Sequence, residues 1–189
     1  MKESKVINPL LESLEFAAYR HRFGKTKNDE PYINHIIDVC RLIAVVGEDS
    51  DEEVLVAAAL HDTVEKTGTK GTDINFQFGE KVFQLVMEVT DHSSGNDFDK
   101  FNQQLQRVES LSKKARLIKL ADKISNVKSL LSFPPEGWDL EKRSLYINWA
   151  DRIIHALRGT NEKLETYYDE LIAEGKKNHL YIPEDIHAG

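Results

Sequence analysis

The chain has 189 residues, enough for one domain with a sizeable core and too few for two comfortable domains. Hydrophobic residues make up 40% and charged residues 30%, which is ordinary for a soluble globular protein. The net charge of −7 argues against nucleic acid or an anionic membrane as the main partner. It does not exclude a small phosphate-bearing ligand, because a bound metal and a few local cations can outweigh the overall negative charge.

The single cysteine, Cys40, excludes a disulfide within the chain and fits a reducing compartment. It stands in an apolar helical pattern, so we interpret it as a small buried hydrophobe. No apolar run approaches ~18 residues, and the first residues lack a signal-peptide core. We therefore expect a cytoplasmic protein.

Helical periodicity runs through the whole chain, and no segment alternates convincingly like a strand. This pattern predicts an all-α fold, with one domain over residues 1–175 and a loosely ordered tail over 176–189. The predicted helices cover residues 8–22, 31–46, 52–66, 72–78, 79–90, 99–111, 113–131, 139–158 and 160–174.

Several helix boundaries carry their own signals. Pro31 suits the first turn of the second helix. Ser50 or Asp51 is the expected N-cap of the third helix, which has acidic residues in its first turn. The segment "GKTKNDEP" at 24–31 reads as a polar, cationic loop, and residues 91–98 read as an exposed loop.

The third predicted helix contains "AAALHDTVEKT", an apolar stretch that runs straight into His61 and Asp62. Because this helix is apolar nearly all round, it should be buried. A buried carboxylate must be paired or bind a metal, since ionising it alone costs several kcal/mol. Glu65 lies one turn further on and shares the same side of the helix.

Two other helices carry similar groups: His35 sits among isoleucines, and Asp122 and Asn126 flank an apolar stripe at i, i+4. Two imidazoles and two carboxylates could thus converge from three helices. Such a set suits a divalent transition ion such as manganese, iron or nickel and is a poor match for a cysteine-rich zinc site. The alternatives are a core histidine at position 35 and simple pairing of Asp122 with Lys119 or Lys123.

With these residues in view, the chain resembles the HD-domain phosphohydrolases, and within them the RelA/SpoT hydrolase group in its small stand-alone Mesh1-type form. The matching segments span residues 15–165 in the family's order and are "HRFGKTKNDEPYINH", "AAALHDTVEKT", "FGEKVFQLVMEVTD", "KLADKISNVKSL" and "PPEGWDLEKRSLYINWADRIIHALRGTNEKLE".

The resemblance implies an all-helical fold with manganese bound by His35, His61, Asp62 and Asp122. It also implies removal of the 3′-pyrophosphate from the alarmone (p)ppGpp, the nucleotide of the stringent response, giving GDP or GTP. Mesh1-type enzymes are also associated with removal of the 2′-phosphate of NADPH, so that nucleotide is the alternative substrate. A nucleotide-binding sensor with weak turnover is a third possibility.

The remaining site residues follow from the same resemblance. Glu65 and Lys66 are the catalytic candidates, and the substrate-binding candidates are Lys27, Asn126, Tyr146 and Arg143. Three of them have a plainer alternative: Lys27 as a solvated loop charge, Tyr146 as core packing and Arg143 as a helix-surface residue.

The sequence departs from the family pattern at two positions near the site. Lys66 stands where the family usually has an aspartate after the glutamate, so it either holds a phosphate or reaches solvent and leaves Glu65 to work alone. Thr26 stands where relatives typically have an arginine, which can stack on a base as threonine cannot.

Overall fold

The computed structural model describes residues 3–93 and 95–183, and over these residues it is built from α-helices, as the sequence predicts. Within those ranges, extended pairing is limited to an isolated bridge between Lys25 and Pro31. None of the helices described is long and apolar enough to cross a membrane. The helices are α1 Glu3–Arg20, α2 Tyr32–Arg41, α3 Glu52–Leu60, α4 Thr63–Thr67, α5 Gly71–Phe78, α6 Glu80–Val89, α7 Asp97–Val108, α8 Lys113–Ser132, α9 Leu140–Ala156 and α10 Glu162–Lys177.

Polar side chains fix where several helices begin. Asp51 accepts a hydrogen bond from the Val54 amide at 3.2 Å, which confirms it as the cap of α3. Pro31 immediately precedes α2, which continues beyond Arg41 as a π-helical turn, Leu42–Val46. The same type of side-chain cap starts α7, α8, α9 and α10, at Asn96, Ser112, Asp139 and Asn161.

Helix α3 lies at the centre of the molecule. Every residue from Val54 to Leu60 is at most 3% exposed, because the helix is packed by α1, α2, α6 and α8. Helix α2 also contacts α8 directly. The three helical segments that carry His35, His61 and Asp122 are therefore mutual neighbours, and Cys40 is buried between them and the rest of the core as expected.

The third helix does not run unbroken from 52 to 66, as predicted, but stops at Leu60 and resumes at Thr63. His61 and Asp62 form a turn, with Asp62 at φ −102° and ψ −2°. The Thr63 hydroxyl donates to the Leu60 carbonyl at 2.7 Å and so supports the break. Consecutive residues of a continuous helix point about 100° apart, and this turn lets His61 and Asp62 face the same point.

The chain beyond Gly175 also differs from the expected loose tail. Helix α10 continues to Lys177, and Tyr181 is buried at 6% exposure. The Ile182 amide donates to Ser144 Oγ at 2.7 Å, and Asn148 Nδ2 donates to the Ile182 carbonyl at 3.0 Å. Tyr181 is thus buried and Ile182 is hydrogen-bonded to α9, whereas residues 184–189 lie outside the described residues.

Candidate metal centre and adjoining cleft

Four side chains predicted to bind a metal meet at one point between α2, the α3–α4 turn and α8. The donor atoms of His35, His61 and Asp62 all lie within 4.8 Å of one another. Asp122 Oδ1 lies 3.4 Å from His35 Nε2 and 3.9 Å from His61 Nε2. The structure therefore groups His35, His61 and Asp62 and places Asp122 beside both imidazoles, although these residues are up to 87 positions apart in the chain.

The two imidazole rings present the same nitrogen to this point. His61 Nδ1 lies 2.8 Å from the Ala58 carbonyl, which can only accept a hydrogen bond, so the proton belongs on Nδ1. His61 Nε2 is buried and finds no hydrogen-bond partner among the described residues. With Nδ1 committed to that carbonyl, Nε2 is the ring nitrogen left to a metal, whose binding would displace a proton from it. His35 Nδ1 is likewise occupied, by Ser125 Oγ at 3.1 Å.

Each carboxylate is held by a neighbouring polar group. Asp62 Oδ2 accepts from the Tyr32 hydroxyl at 2.5 Å, and Asp122 Oδ1 accepts from Asn126 Nδ2 at 2.7 Å. Asp122 Oδ2 faces the Lys123 and Lys119 ammonium groups at 3.3 Å and 3.9 Å. Asp122 thus pairs with both lysines and still directs its other oxygen at the imidazoles.

The charges of this cluster fit a divalent cation. Although burial opposes protonation, the Asp62 carboxylate raises the pKa of His61 to about 9. Burial also works against ionised carboxyls, yet His61 lowers the pKa of Asp62, and Lys123 lowers that of Asp122. The carboxylates thus attract whatever positive charge is near. Two neutral imidazoles and two carboxylates offer a −2 donor set, which suits a divalent transition metal.

A cleft of about 290 Å³ opens beside His35. Three of the predicted substrate-binding residues, Lys27, Asn126 and Tyr146, line it. The Lys27 ammonium lies 4.0 Å from the centre of the Tyr146 ring and 5.3 Å from that of Trp138. Desolvation, with Lys123 as the next cause, lowers the pKa of Lys27 to about 8, although part of its side chain is exposed. Lys27 is thus an ordered cation at the cleft.

The other predicted residues have different settings. Glu65 and Lys66 stand at the exposed side of α4 and form an ion pair with each other. Asn126 uses its amide on Asp122, donating to both the carboxylate and the backbone carbonyl. Arg143 is not among the cleft-lining residues, and its Nε points to the Asp139 carbonyl at 3.4 Å.

Sequence reasoning did not find the groups that hold the metal candidates in place, namely Tyr32, Asp38 and Ser125. Tyr32 precedes His35 by three positions, so a shared helix face was the signal available for it. Ser125 stands three residues after Asp122 and 90 residues after its partner His35 in the chain. No local pattern reveals a contact across that separation.

The chain is similar to several known proteins in sequence and in fold. A model of the HD-domain family matches residues 13–161. The guanosine-3′,5′-bis(diphosphate) 3′-pyrophosphohydrolase MESH1 of Xenopus tropicalis is 38% identical over 179 residues, covering 94% of this chain and 95% of that protein. The MESH1 protein of Danio rerio is 41% identical over 167 residues, covering 87% and 93%. A solved structure, described as a metazoan ortholog of SpoT that hydrolyses ppGpp and plays a role in starvation responses, superimposes with a TM-score of 0.83 at 39% identity, covering 88% of this chain and 94% of that one.

Proposed function

The chain belongs to the HD-domain family, in the group of the MESH1 3′-pyrophosphohydrolases, and from that membership we propose that it hydrolyses (p)ppGpp to GDP or GTP and pyrophosphate with a bound manganese ion. The observation that carries the proposal is the convergence of two imidazoles and two carboxylates beside a cleft that holds an ordered lysine. The partner is a small nucleotide.

We assign the metal to His35 Nε2, His61 Nε2, Asp62 and Asp122. A bound divalent ion supplies an acidified water near neutral pH and polarises a phosphoryl oxygen. The protein's part is to keep the donors deprotonated and aimed. Tyr32 and Asn126 do this for the two carboxylates through their hydrogen bonds, and Asn126 therefore acts chiefly through Asp122.

Glu65 and Lys66 act at the rim of this centre. Glu65 follows Asp62 by three residues, and its carboxylate orients the attacking water. Burial opposes the charge of Lys66, but the hydrogen bond with Glu65 and the charges of Asp62 and the other nearby carboxylates together raise the pKa of that lysine, so Lys66 stays cationic at neutral pH. The Lys66 ammonium can then bind a negatively charged phosphate group. The aspartate that the family usually has at this position could not do so.

The nucleotide occupies the cleft, where Lys27 meets a phosphate and Tyr146 contacts the nucleoside. The Lys27 ammonium already lies against the Tyr146 ring, so the cation is in place before the ligand arrives and little side-chain entropy is lost on binding. Arg143, one turn before Tyr146 on α9, contributes a more distant positive charge.

The experiment is a product assay. The purified chain is incubated with manganese and separately with ppGpp, NADPH and a simple phosphate ester. We expect GDP and pyrophosphate from ppGpp. Asp62→Asn and Asp122→Asn should each lose about 10³-fold or more in kcat/KM, since each removes several kcal/mol of metal-dependent stabilisation. Asp169→Asn, which breaks the exposed ion pair with Arg158, should retain full activity.

Two outcomes contradict the substrate assignment. Turnover of NADPH without turnover of ppGpp would mean that the same machinery acts on another nucleotide. Nucleotide binding with no turnover of any substrate would make the protein a sensor.

A further inference from the structure

A hydrogen-bonded chain runs from His35 away from the metal centre to an acidic residue on the same helix. Ser125 Oγ, on α8, donates to Asp38 Oδ2 at 2.9 Å. A serine hydroxyl has one proton, so Ser125 must accept from His35 Nδ1, which lies 3.1 Å from it. The directions of both hydrogen bonds are thus fixed by Asp38, which as a carboxylate can only accept.

We propose that Asp38, acting through Ser125, is a positioning residue that fixes the His35 tautomer and aims its Nε2 lone pair at the bound metal. The inference rests on the metal centre proposed above and adds two residues to it. Asp38 lies one turn after His35 on α2, and Ser125 lies one turn after Asp122 on α8, so the relay also ties together the two helices that contribute those ligands.

The far end of the relay is anchored by positive charge. Lys128 Nζ lies 2.6 Å and Arg41 Nε 3.2 Å from Asp38 Oδ1, which leaves Oδ2 to Ser125. Burial alone would favour the neutral acid, but the hydrogen bond and charge of Lys128 lower the pKa of Asp38 below its ordinary value. Ser125 is 3% exposed, so water does not compete for its hydroxyl.

The other imidazole of the centre is oriented by a different device. His61 Nδ1 donates to the backbone carbonyl of Ala58, a partner that side-chain substitution leaves in place. The relay on His35 is built wholly from side chains. Single substitutions can therefore remove the outer support of one ligand while the support of the other stays intact. Outer-shell partners of metal-binding histidines typically contribute 10–100-fold in metal affinity.

The test is the manganese dissociation constant of the full chain, measured by competition with a chromophoric chelator in the absence of nucleotide. Asp38→Asn and Ser125→Ala should each weaken manganese binding by about 10–100-fold. The double variant should lose no more than the larger single loss, because both substitutions break one relay. Activity of the variants should recover as the manganese concentration is raised.

Matched controls separate positioning from general damage. Asp169→Asn removes a charged partner of a remote arginine, and Ser13→Ala removes a buried hydroxyl that donates to the Leu10 carbonyl of its own helix. Both should bind manganese like the parent. The thermal stability of every variant is measured without metal, to show that it is folded. If Ser125→Ala does not fold, Asp38→Asn still tests the relay, because Asp38 lies at the edge of the cleft and is less buried than Ser125.

The proposal is overturned if folded Asp38→Asn binds manganese as tightly as the parent, if the two losses add in the double variant, or if the parent binds no metal. A parent that binds manganese but does not hydrolyse ppGpp would contradict the substrate assignment alone, and the affinity series would still decide the relay.

Discussion

His21 is a buried histidine beside the metal centre that takes no direct part in it. Its ring stacks on Tyr32, with centroids 4.7 Å apart and an interplanar angle of 14°, and its Nε2 has no hydrogen-bond partner among the described residues. Burial, partly offset by the Asp62 charge, lowers the pKa of His21 to about 4. The folded protein therefore keeps this ring neutral where the unfolded chain would protonate it.

This pKa predicts an acid-dependent loss of stability. The unfolded chain protonates His21 at its ordinary pKa of 6.5, whereas the folded chain does so only near 4. His21 therefore costs no unfolding free energy above pH 6.5, and the folded state loses stability as the pH falls from 6.5 towards 4. Between pH 7 and pH 4.5 the loss amounts to about 2 kcal/mol. Urea unfolding of the metal-free protein and of His21→Phe, which keeps an aromatic ring, measures it. Equal pH dependence in the two proteins would contradict the assignment.

The lowered pKa of Lys27 predicts that the affinity for ppGpp falls at alkaline pH. Its pKa of about 8 means that the ammonium is charged below pH 8 and neutralises above it. We expect KM for ppGpp to rise about tenfold between pH 7.5 and 9.5, since a hydrogen bond to a charged group contributes about 1.5–3 kcal/mol. Lys27→Arg should flatten the rise, and Lys81→Arg, at a side chain that is 80% exposed, should leave it unchanged. A rise that persists in Lys27→Arg would assign it to another group.

The side chains that the structure groups at the candidate centre could be named from the sequence, but the side chains that hydrogen-bond to them could not. His61 and Asp62 are conspicuous in the sequence because they follow a run of apolar residues that predicts a buried helix. Polar and charged groups are unfavourable in such a place unless they are paired or bind a metal. Ser125 and Asp38 carry no such signal, since a serine and an aspartate on helix surfaces are ordinary. Their role arises from a contact between α2 and α8, which local periodicity does not encode.

At the scale of elements, the loop between α1 and α2 is tied to α8. Asn28 Nδ2 donates to Ser129 Oγ at 3.0 Å, and the Thr26 hydroxyl donates to Asn28 Oδ1 at 2.6 Å. The Thr26 amide also donates to the Glu30 carbonyl at 2.9 Å, which closes the loop on itself. Lys27 lies between the two residues that make these contacts, so the loop holds its ammonium over Tyr146.

Removing the hydrogen bond between Asn28 and Ser129 should weaken nucleotide binding more than it slows the chemical step. Ser129→Ala removes the acceptor of the Asn28 amide, and a net hydrogen bond contributes about 0.5–1.5 kcal/mol. We expect KM to rise about threefold to tenfold with kcat nearly unchanged. Ser110→Ala, at an exposed serine in the turn between α7 and α8, is the control. A fall in kcat at constant KM would show that the tie serves the metal centre instead.

Helix positions followed from periodicity and caps, whereas the interruption of the third helix did not. The segment from 52 to 66 contains neither glycine nor proline, so its propensities favour one continuous helix. The break occurs because His61 and Asp62 must face one centre while Leu60 and Thr63 stay buried. Tertiary packing overrides the local preference at the position where the site is built.

For the whole molecule, the net charge of −7 is a poor guide to the field inside the site. Lys123 is buried and Lys119 is half-buried next to Asp122, and Lys27 and Lys66 stand nearby. A phosphate-bearing ligand therefore meets a local group of cations on an acidic protein. Composition argues against nucleic acid or an anionic membrane as the main partner, but only the packing of α8 against α2 and α3 shows where positive charges lie close together.

Metal binding should stabilise the entire fold, because the proposed ligands come from segments that span α2 to α8. At a free manganese concentration of 100 times Kd, binding to the folded state alone raises the free energy of unfolding by about 2.7 kcal/mol. For a chain of this length we expect Tm to rise by about 5–10 °C and to fall again with excess chelator. Asp62→Asn should show no such rise, and an equal shift in that variant would place the stabilising ion elsewhere.

The most direct test of the account is the position of the metal itself. Crystals of the full chain grown with manganese would be measured by anomalous diffraction at the manganese absorption edge. We predict one strong peak within coordination distance of His35 Nε2, His61 Nε2, Asp62 and Asp122. An anomalous peak at a different set of side chains, or none at these four in crystals soaked with excess manganese, would contradict the proposed hydrolytic centre.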